Sequence, residues 1–149
     1  MMNSLDEVPL LRAPALPFVV VGRCGEVQLE SGWHEREQDG RNGIPYRATS
    51  PDAFLSLRAI PGATRLHLLV SGPVGIAQRP IDARIIFNRK KFELPIFIDH
   101  WAHRHYPLEV TKGTVQVRFK VAEPVIPDLM IGNGDPRRLG IYLSAIWME

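Results

Sequence analysis

Apolar and polar side chains alternate along this chain with a period of two, the spacing of a strand with one face on a core and one in water. The pattern is cleanest from Thr114 to Val121, where Val115, Val117, Phe119 and Val121 fall on one side and Gln116, Arg118 and Lys120 on the other. Thr64 to Ser71 repeats it, with Leu66, Leu68 and Val70 opposed to Arg65 and His67. Ala53 to Ile60 sets Ala53, Leu55, Leu57 and Ala59 against Ser56 and Arg58, and Ile81 to Asn88 has Ile85 and Phe87 in phase. Phe92, Leu94, Ile96 and Ile98 continue the alternation, and Pro95 within that run predicts an edge strand or a bulge. Phe18 to Val21, Glu26 to Leu29, Tyr46 to Thr49 and Tyr106 to Val110 read as shorter strands. The chain closes on a long apolar strand with Leu139, Ile141 and Leu143 on one face and Gly140, Tyr142 and Ser144 on the other. Beyond Ser144, either Ala145 and Trp147 keep the first face, or a bulge near Ser144-Ala145 turns Ile146 and Met148 inward. A strand this apolar belongs in the middle of a sheet, because exposed it would template aggregation.

Turn signals divide these strands. Gly32 to Gly43 is polar and glycine-rich and reads as a loop that holds Trp33; Gly72 to Pro80 reads as another. Asn88 to Lys91 is a basic turn, Asp99 to His105 a loop or hairpin tip, and Glu123 to Arg138 a long irregular connection. Roughly nine strands at this spacing predict an all-β fold, an antiparallel β-sandwich. Residues 1–17, with Pro9, Pro14 and Pro17, read as an extended N-terminal arm, and residues 18–149 as a single sandwich domain.

Composition adds limits. The 149 residues suit one domain with a real core, and 45% hydrophobic with 23% charged residues is ordinary for a globular protein. The twelve glycines and thirteen prolines fit an all-β chain. A net charge of +2 gives no footprint for nucleic acid or an anionic membrane, so neither is expected as a partner. Cys24 is alone and excludes an intrachain disulfide. With no signal-like or membrane-spanning run, the expected compartment is cytoplasmic.

Three groups of residues carry candidate chemistry. His103, His105 and Glu109 reproduce the His-x-His-x-x-x-Glu spacing of the first metal motif of cupins, and histidines at i and i+2 of a strand share a face. The motif's glycines are missing, and no later histidine follows, so His34 or His67 would have to supply a further ligand. The plain alternative is a polar hairpin tip with exposed histidines. Trp33 and Trp101 stand on predicted loops near His34, Asp39, Asn42 and His100. Indole faces stack on the C–H face of a pyranose while amides and carboxylates bind its hydroxyls; the alternative is that either ring folds back over the core. Gly132 to Arg138 has the glycines and arginines of an anion nest, or else forms a turn in which Asp135 pairs with backbone or with Arg137 or Arg138. No nucleophile–histidine–acid or paired-carboxylate signature is visible, which makes an enzyme the less favoured reading without excluding a dispersed site.

Taken together, Gly32-Trp33-His34, Asp39-Gly40-Arg41, Tyr46-Arg47, Ala53 to Leu57 and Gly134-Asp135-Pro136-Arg137-Arg138-Leu139-Gly140-Ile141 resemble a β-sandwich module. It is joined to bacterial glycosyltransferases and methyltransferases of surface-polysaccharide assembly. The resemblance runs from Glu26 to Glu149. It implies a jelly-roll, galactose-binding-like sandwich akin to carbohydrate-binding modules, with an accessory role. Asp135, Arg137 and Gly140 match its best-marked positions, and Trp33 and Trp101 its aromatic ones. Ala48 stands where the family carries an aromatic after the Tyr-Arg pair, and no transferase domain accompanies the module here. The leading expectation is therefore a non-catalytic saccharide- or glycan-binding module. Trp33 and Trp101 would stack; His34, Asp39, Asn133 and Asp135 would bind hydroxyls, with Arg137 among the ligand-binding residues. No cofactor is implied, although sandwiches of this type admit Ca²⁺. The alternatives are a cupin-like metalloenzyme on His103, His105 and Glu109, and a docking module for a separate glycosyltransferase.

Overall fold

A computed structural model of the protein describes residues 15–73, 81–96, 100–110 and 113–149. Expectations for the arm before residue 15, for the 74–80 part of the Gly72 to Pro80 loop, and for Ile98, Asp99 and Lys112 lie outside the described residues.

Ten strands in two antiparallel sheets are seen among the described residues, against the roughly nine the alternation predicts. They are β1 (Phe18–Val20), β2 (Trp33–Gln38), β3 (Pro45–Thr49), β4 (Asp52–Arg58), β5 (Arg65–Ser71), β6 (Ala83–Phe87), β7 (Lys90–Glu93), β8 (Ala102–Pro107), β9 (Thr114–Val121) and β10 (Tyr142–Met148). One sheet runs β2-β3-β10-β5-β8, with β1 also paired to β10; the other runs β4-β9-β6-β7. Their facing sides bury Leu66, Leu68, Val70, Leu143 and Ile146 from the first and Leu55, Leu57, Ile85, Val117 and Phe119 from the second.

The closing strand is central, with β3 and β1 on one flank and β5 on the other. Leu139, Ile141 and Leu143 are buried. The register with β5 slips between Leu143 and Ala145, and Ile146 and Met148 then point into the core. The bulge therefore sets the phase, and Trp147 is left on the outer face opposite His67.

Five segments differ from the pattern-based expectation. Glu26–Gln28 is a 3₁₀ turn, entered through Gly25 at φ 84°. The buried Gln28 amide there bonds both the N–H and the carbonyl of Leu16 and the carbonyl of Ser56. Trp33–Gln38 is a strand rather than a loop: among the described residues it is an edge strand paired only with β3, so its charged residues face water without disrupting the ladder. Ala102–Pro107 is the opposite edge strand, so His103 and His105 lie on a ladder and not at a hairpin tip. The 123–138 connection carries α1 (Pro127–Ile131), ended by Gly132 at φ 62°, and is pinned by a bridge between Val125 and Leu139. At Asn88-Arg89 both φ values are positive (50° and 62°), a two-residue hairpin turn, so Lys90 and Lys91 already belong to β7.

Candidate functional site

The outer face of the six-stranded sheet follows from its register. With Leu66, Leu68 and Val70 facing inward, His67, Leu69 and Ser71 face outward. Tyr142 pairs with Ser71 and with Ala48, which places Tyr142, Tyr46 and Ala48 on that face, and Glu37 lies opposite Tyr46.

Three rings gather there. Tyr46 and Tyr142 stack with centroids 4.1 Å apart at 20°, and Trp101 leans on Tyr46 at 5.8 Å and 50°. The Trp101 indole N–H donates to Asp39 Oδ2 at 2.9 Å, while Asp39 Oδ1 accepts from the Arg41 backbone N–H at 2.9 Å. The Arg41 backbone bond and then the Trp101 bond hold the Asp39 carboxyl down at about 2. Burial pushes both tyrosine hydroxyls up, Tyr142 further than Tyr46. An open cavity of about 190 Å³ lies between the Asp39–Arg41 turn and the tyrosine pair, with Ser71 in its wall. Apolar ring surface, an ionised carboxylate and a guanidinium therefore converge on one hollow. That donor set has the chemistry to meet hydroxyl-rich molecules: a ring face can take C–H surface, a carboxylate accepts from hydroxyls and a guanidinium donates to them.

Tyr46 is bordered by an ion-pair chain. Arg137 donates through Nε and Nη2 to both Asp135 carboxylate oxygens (2.9 and 2.7 Å) and through Nη1 to Glu37 Oε2 at 2.9 Å. The Arg137 side-chain bonds hold the Asp135 carboxyl at about 2. The Gly132 to Arg138 turn is occupied from within: Gly134 N–H goes to Asp128, Asp135 N–H to the Asn133 side chain, and Arg137 N–H to Asp135. Those donors are thus taken by the turn itself, and Asp135 pairs with Arg137 as one of the two sequence readings had it. Asn133 is exposed and caps this turn rather than reaching the rings. His34 acts on Asp135 electrostatically, and its buried Nε2 has no hydrogen-bond partner among the described residues.

Trp33 and Trp101 lie apart. Trp33 points between the sheets, edge-on to Phe119 at 5.9 Å, and its N–H donates to the Phe54 carbonyl at 2.7 Å. It folds back on the core because β2 is a strand whose alternation turns it inward. Of the residues predicted from sequence, Asp39 and Trp101 come together directly, and Asp135, Arg137 and His34 stand along the rim. Tyr46 and Tyr142 join them without a local functional signal: the sequence shows Tyr46 only as part of the Tyr46-Arg47 pair and Tyr142 only as an outward position, and nothing local shows that β3 and β10 are neighbours. Their paired rings stand beside Ala48, where the resemblance expects an aromatic.

The cupin-like spacing does not converge. His103 faces His67, His105 Nδ1 faces Arg65, and Glu109 points to Lys90 at 4.0 Å. Among the described residues no three His, Cys, Asp or Glu side chains are arranged to hold a metal ion. No described helix is long and apolar enough to cross a membrane.

The sequence matches no family model and no curated protein. Solved structures with the same fold do exist. A family 35 carbohydrate-binding module from an environmental isolate superposes with a TM-score of 0.55 at 10% identity, over 82% of this chain and 86% of that one. A family 6 carbohydrate-binding module from Clostridium cellulolyticum, in complex with xylose, gives 0.52 at 9% identity, over 91% and 98%. An exo-β-1,3-galactanase from Phanerochaete chrysosporium, with galactose, gives 0.52 at 8% identity; 89% of this chain is covered but only 29% of the enzyme. The chain has the antiparallel β-sandwich fold of carbohydrate-binding modules.

Proposed function

We propose that this protein is a non-catalytic carbohydrate-binding module, and that its saccharide sits on the outer face of the six-stranded sheet. The observation that carries the reading is the hollow between the Asp39–Arg41 turn and the stacked Tyr46–Tyr142 pair, with Trp101 leaning on Tyr46 and bonded to Asp39. A pyranose ring placed there lays a C–H face on aromatic surface and offers its hydroxyls to Asp39, Arg41 and Ser71. The Asp135–Arg137–Glu37 chain holds the rim beside Tyr46 in place. Trp33 takes no part in stacking, since its ring is used between the sheets.

The role is accessory: the module delivers or retains glycan for an enzyme of polysaccharide assembly. Two observations support this reading, the resemblance of the Gly134 to Ile141 segment and the recurrence of the fold as a minor part of a longer galactanase chain. A glycan array followed by tryptophan fluorescence titration tests the binding claim. A response that is lost in Trp101→Ala but kept in Trp33→Phe is expected. Silence toward every saccharide at millimolar concentration overturns it.

A further inference from the structure

A second ring cluster lies on the same outer face, farther along β10. Trp147 is registered opposite His67, and His67 opposite His105 on β8. The planes of His67, His103 and Trp147 are nearly parallel: 6° between His67 and Trp147, 12° between His103 and Trp147, and 16° between the two imidazoles. His67 Nδ1 and His103 Nε2 are 2.8 Å apart with ring centroids at 5.0 Å, so the imidazoles meet edge to edge. His67 Nε2 is 2.7 Å from Glu149 Oε1. With neutral imidazoles, the carboxylate fixes the protons along this line. Glu149 accepts from His67 Nε2–H, which leaves His67 Nδ1 to accept from His103 Nε2–H. Neither imidazole can rotate without breaking a bond; His67 is itself buried and fixes its neighbours, so the preorganised surface offered to a ligand is that of Trp147 and His103. Its edge is polar. His105 Nδ1 lies 3.0 Å from Arg65 Nη1 and accepts from it, so its Nε2–H is left as a donor, and His103 and His105 are both exposed.

The register joins this patch to the hollow beside Asp39 and the tyrosine pair. Tyr142 lies opposite Ser71, Ala145 opposite Leu69, and Trp147 opposite His67, three successive outward rungs of the β10–β5 ladder. The first and third rungs are about 13 Å apart at ~3.3 Å per residue, more than one pyranose ring spans. Between them Ala145 and Leu69 form a low apolar floor, with the exposed His103 opposite Leu69 on the β8 side of the same rung.

We infer that the ligand is a linear glycan of several sugar units laid along β10. One end occupies the hollow between the Asp39–Arg41 turn and the Tyr46–Tyr142 pair, and later units rest on Trp147 and His103. This rests on the saccharide reading above and extends it from a single sugar to a chain. The recognised chemistry is hydroxyls and C–H faces, so the glycan needs no charge.

The test is calorimetric titration of the whole protein with xylo-, gluco-, galacto- and manno-oligosaccharides of one to six units. For the series that binds, affinity rises by at least about tenfold between one unit and four. In His103→Ala, an exposed position whose loss leaves the core intact, the four-unit to one-unit affinity ratio falls toward one, and Trp147→Phe lowers it by a smaller amount. A wild-type protein that binds one unit as tightly as four overturns the chain-length inference alone. So does a ratio that His103→Ala and Trp147→Phe leave untouched. No response to any saccharide overturns the preceding reading and this one with it.

Discussion

Trp101 Nε1 and Asp39 Oδ2 lie 2.9 Å apart, although sixty-two residues separate them along the chain. The bond ties the turn after β2 to the segment entering β8, the two edge strands of one sheet. It spans the outer face above β3, β10 and β5, so it positions both the indole and the carboxylate beside the tyrosine pair. An indole N–H given to a carboxylate is a charge-assisted bond, and in this half-buried setting it fixes the ring's orientation.

Replacing Trp101 by Phe keeps an apolar ring but removes that donor. Saccharide affinity is expected to fall by about three- to tenfold, since a hydrogen bond to a charged group is worth ~1.5–3 kcal/mol and part of it serves only to orient the ring. Trp101→Ala should cost more. Isothermal calorimetry, with far-ultraviolet dichroism as a check on folding, measures both.

Trp33→Phe separates the two tryptophans by role. The ring against Phe119 is retained and the bond to the Phe54 carbonyl is lost. Stability should drop by roughly 1 kcal/mol, the net worth of a half-buried neutral bond, with saccharide affinity unchanged. Urea denaturation and the same titration check the pair of outcomes.

Gly140 is buried where β3 turns away, and an added Cβ would collide with Thr49 Oγ1 and lie 2.8 Å from the Ser50 carbonyl. Thr49 Oγ1 accepts the Ile141 backbone N–H at 3.0 Å, so moving it also breaks that bond. Gly140→Ala should destabilise by about 1–3 kcal/mol through overpacking. A lower denaturation midpoint at unchanged slope is the expected result.

Acid should weaken the rim. Asp39 and Asp135 are held at about 2 against an ordinary 3.8. Their folded values are depressed, so what they add to stability is complete above about pH 4 and is lost as pH falls toward about 2. The melting temperature should therefore drop through that window. In Asp135→Asn it should begin lower at neutral pH and fall less steeply, as differential scanning fluorimetry across a pH series will read.

Strand alternation alone located β5, β6, β9 and the inward faces of β4 and β10, because a half-buried strand writes its burial into every second residue. It also presented the bulge as one of two phases, and Ile146 and Met148 confirm the inward one. The edge strands were harder to read. β2 is so charged that it resembled a loop, and β8 held His103 and His105 where a hairpin tip was expected. An edge strand has one ladder and much water, so polarity there carries little information about pairing.

Local order thus determined the class of fold and the central place of the final strand, and it named Trp101, Asp39, Asp135 and Arg137 as candidates. Only the tertiary structure decided which residues meet. Alternation says that two side chains share a face; it does not say which face looks at the other sheet or which strands adjoin. The order β2-β3-β10-β5-β8 is built from pairings distant in sequence. Those pairings turn Trp33 inward and place Tyr46, Tyr142 and Trp101 on one surface.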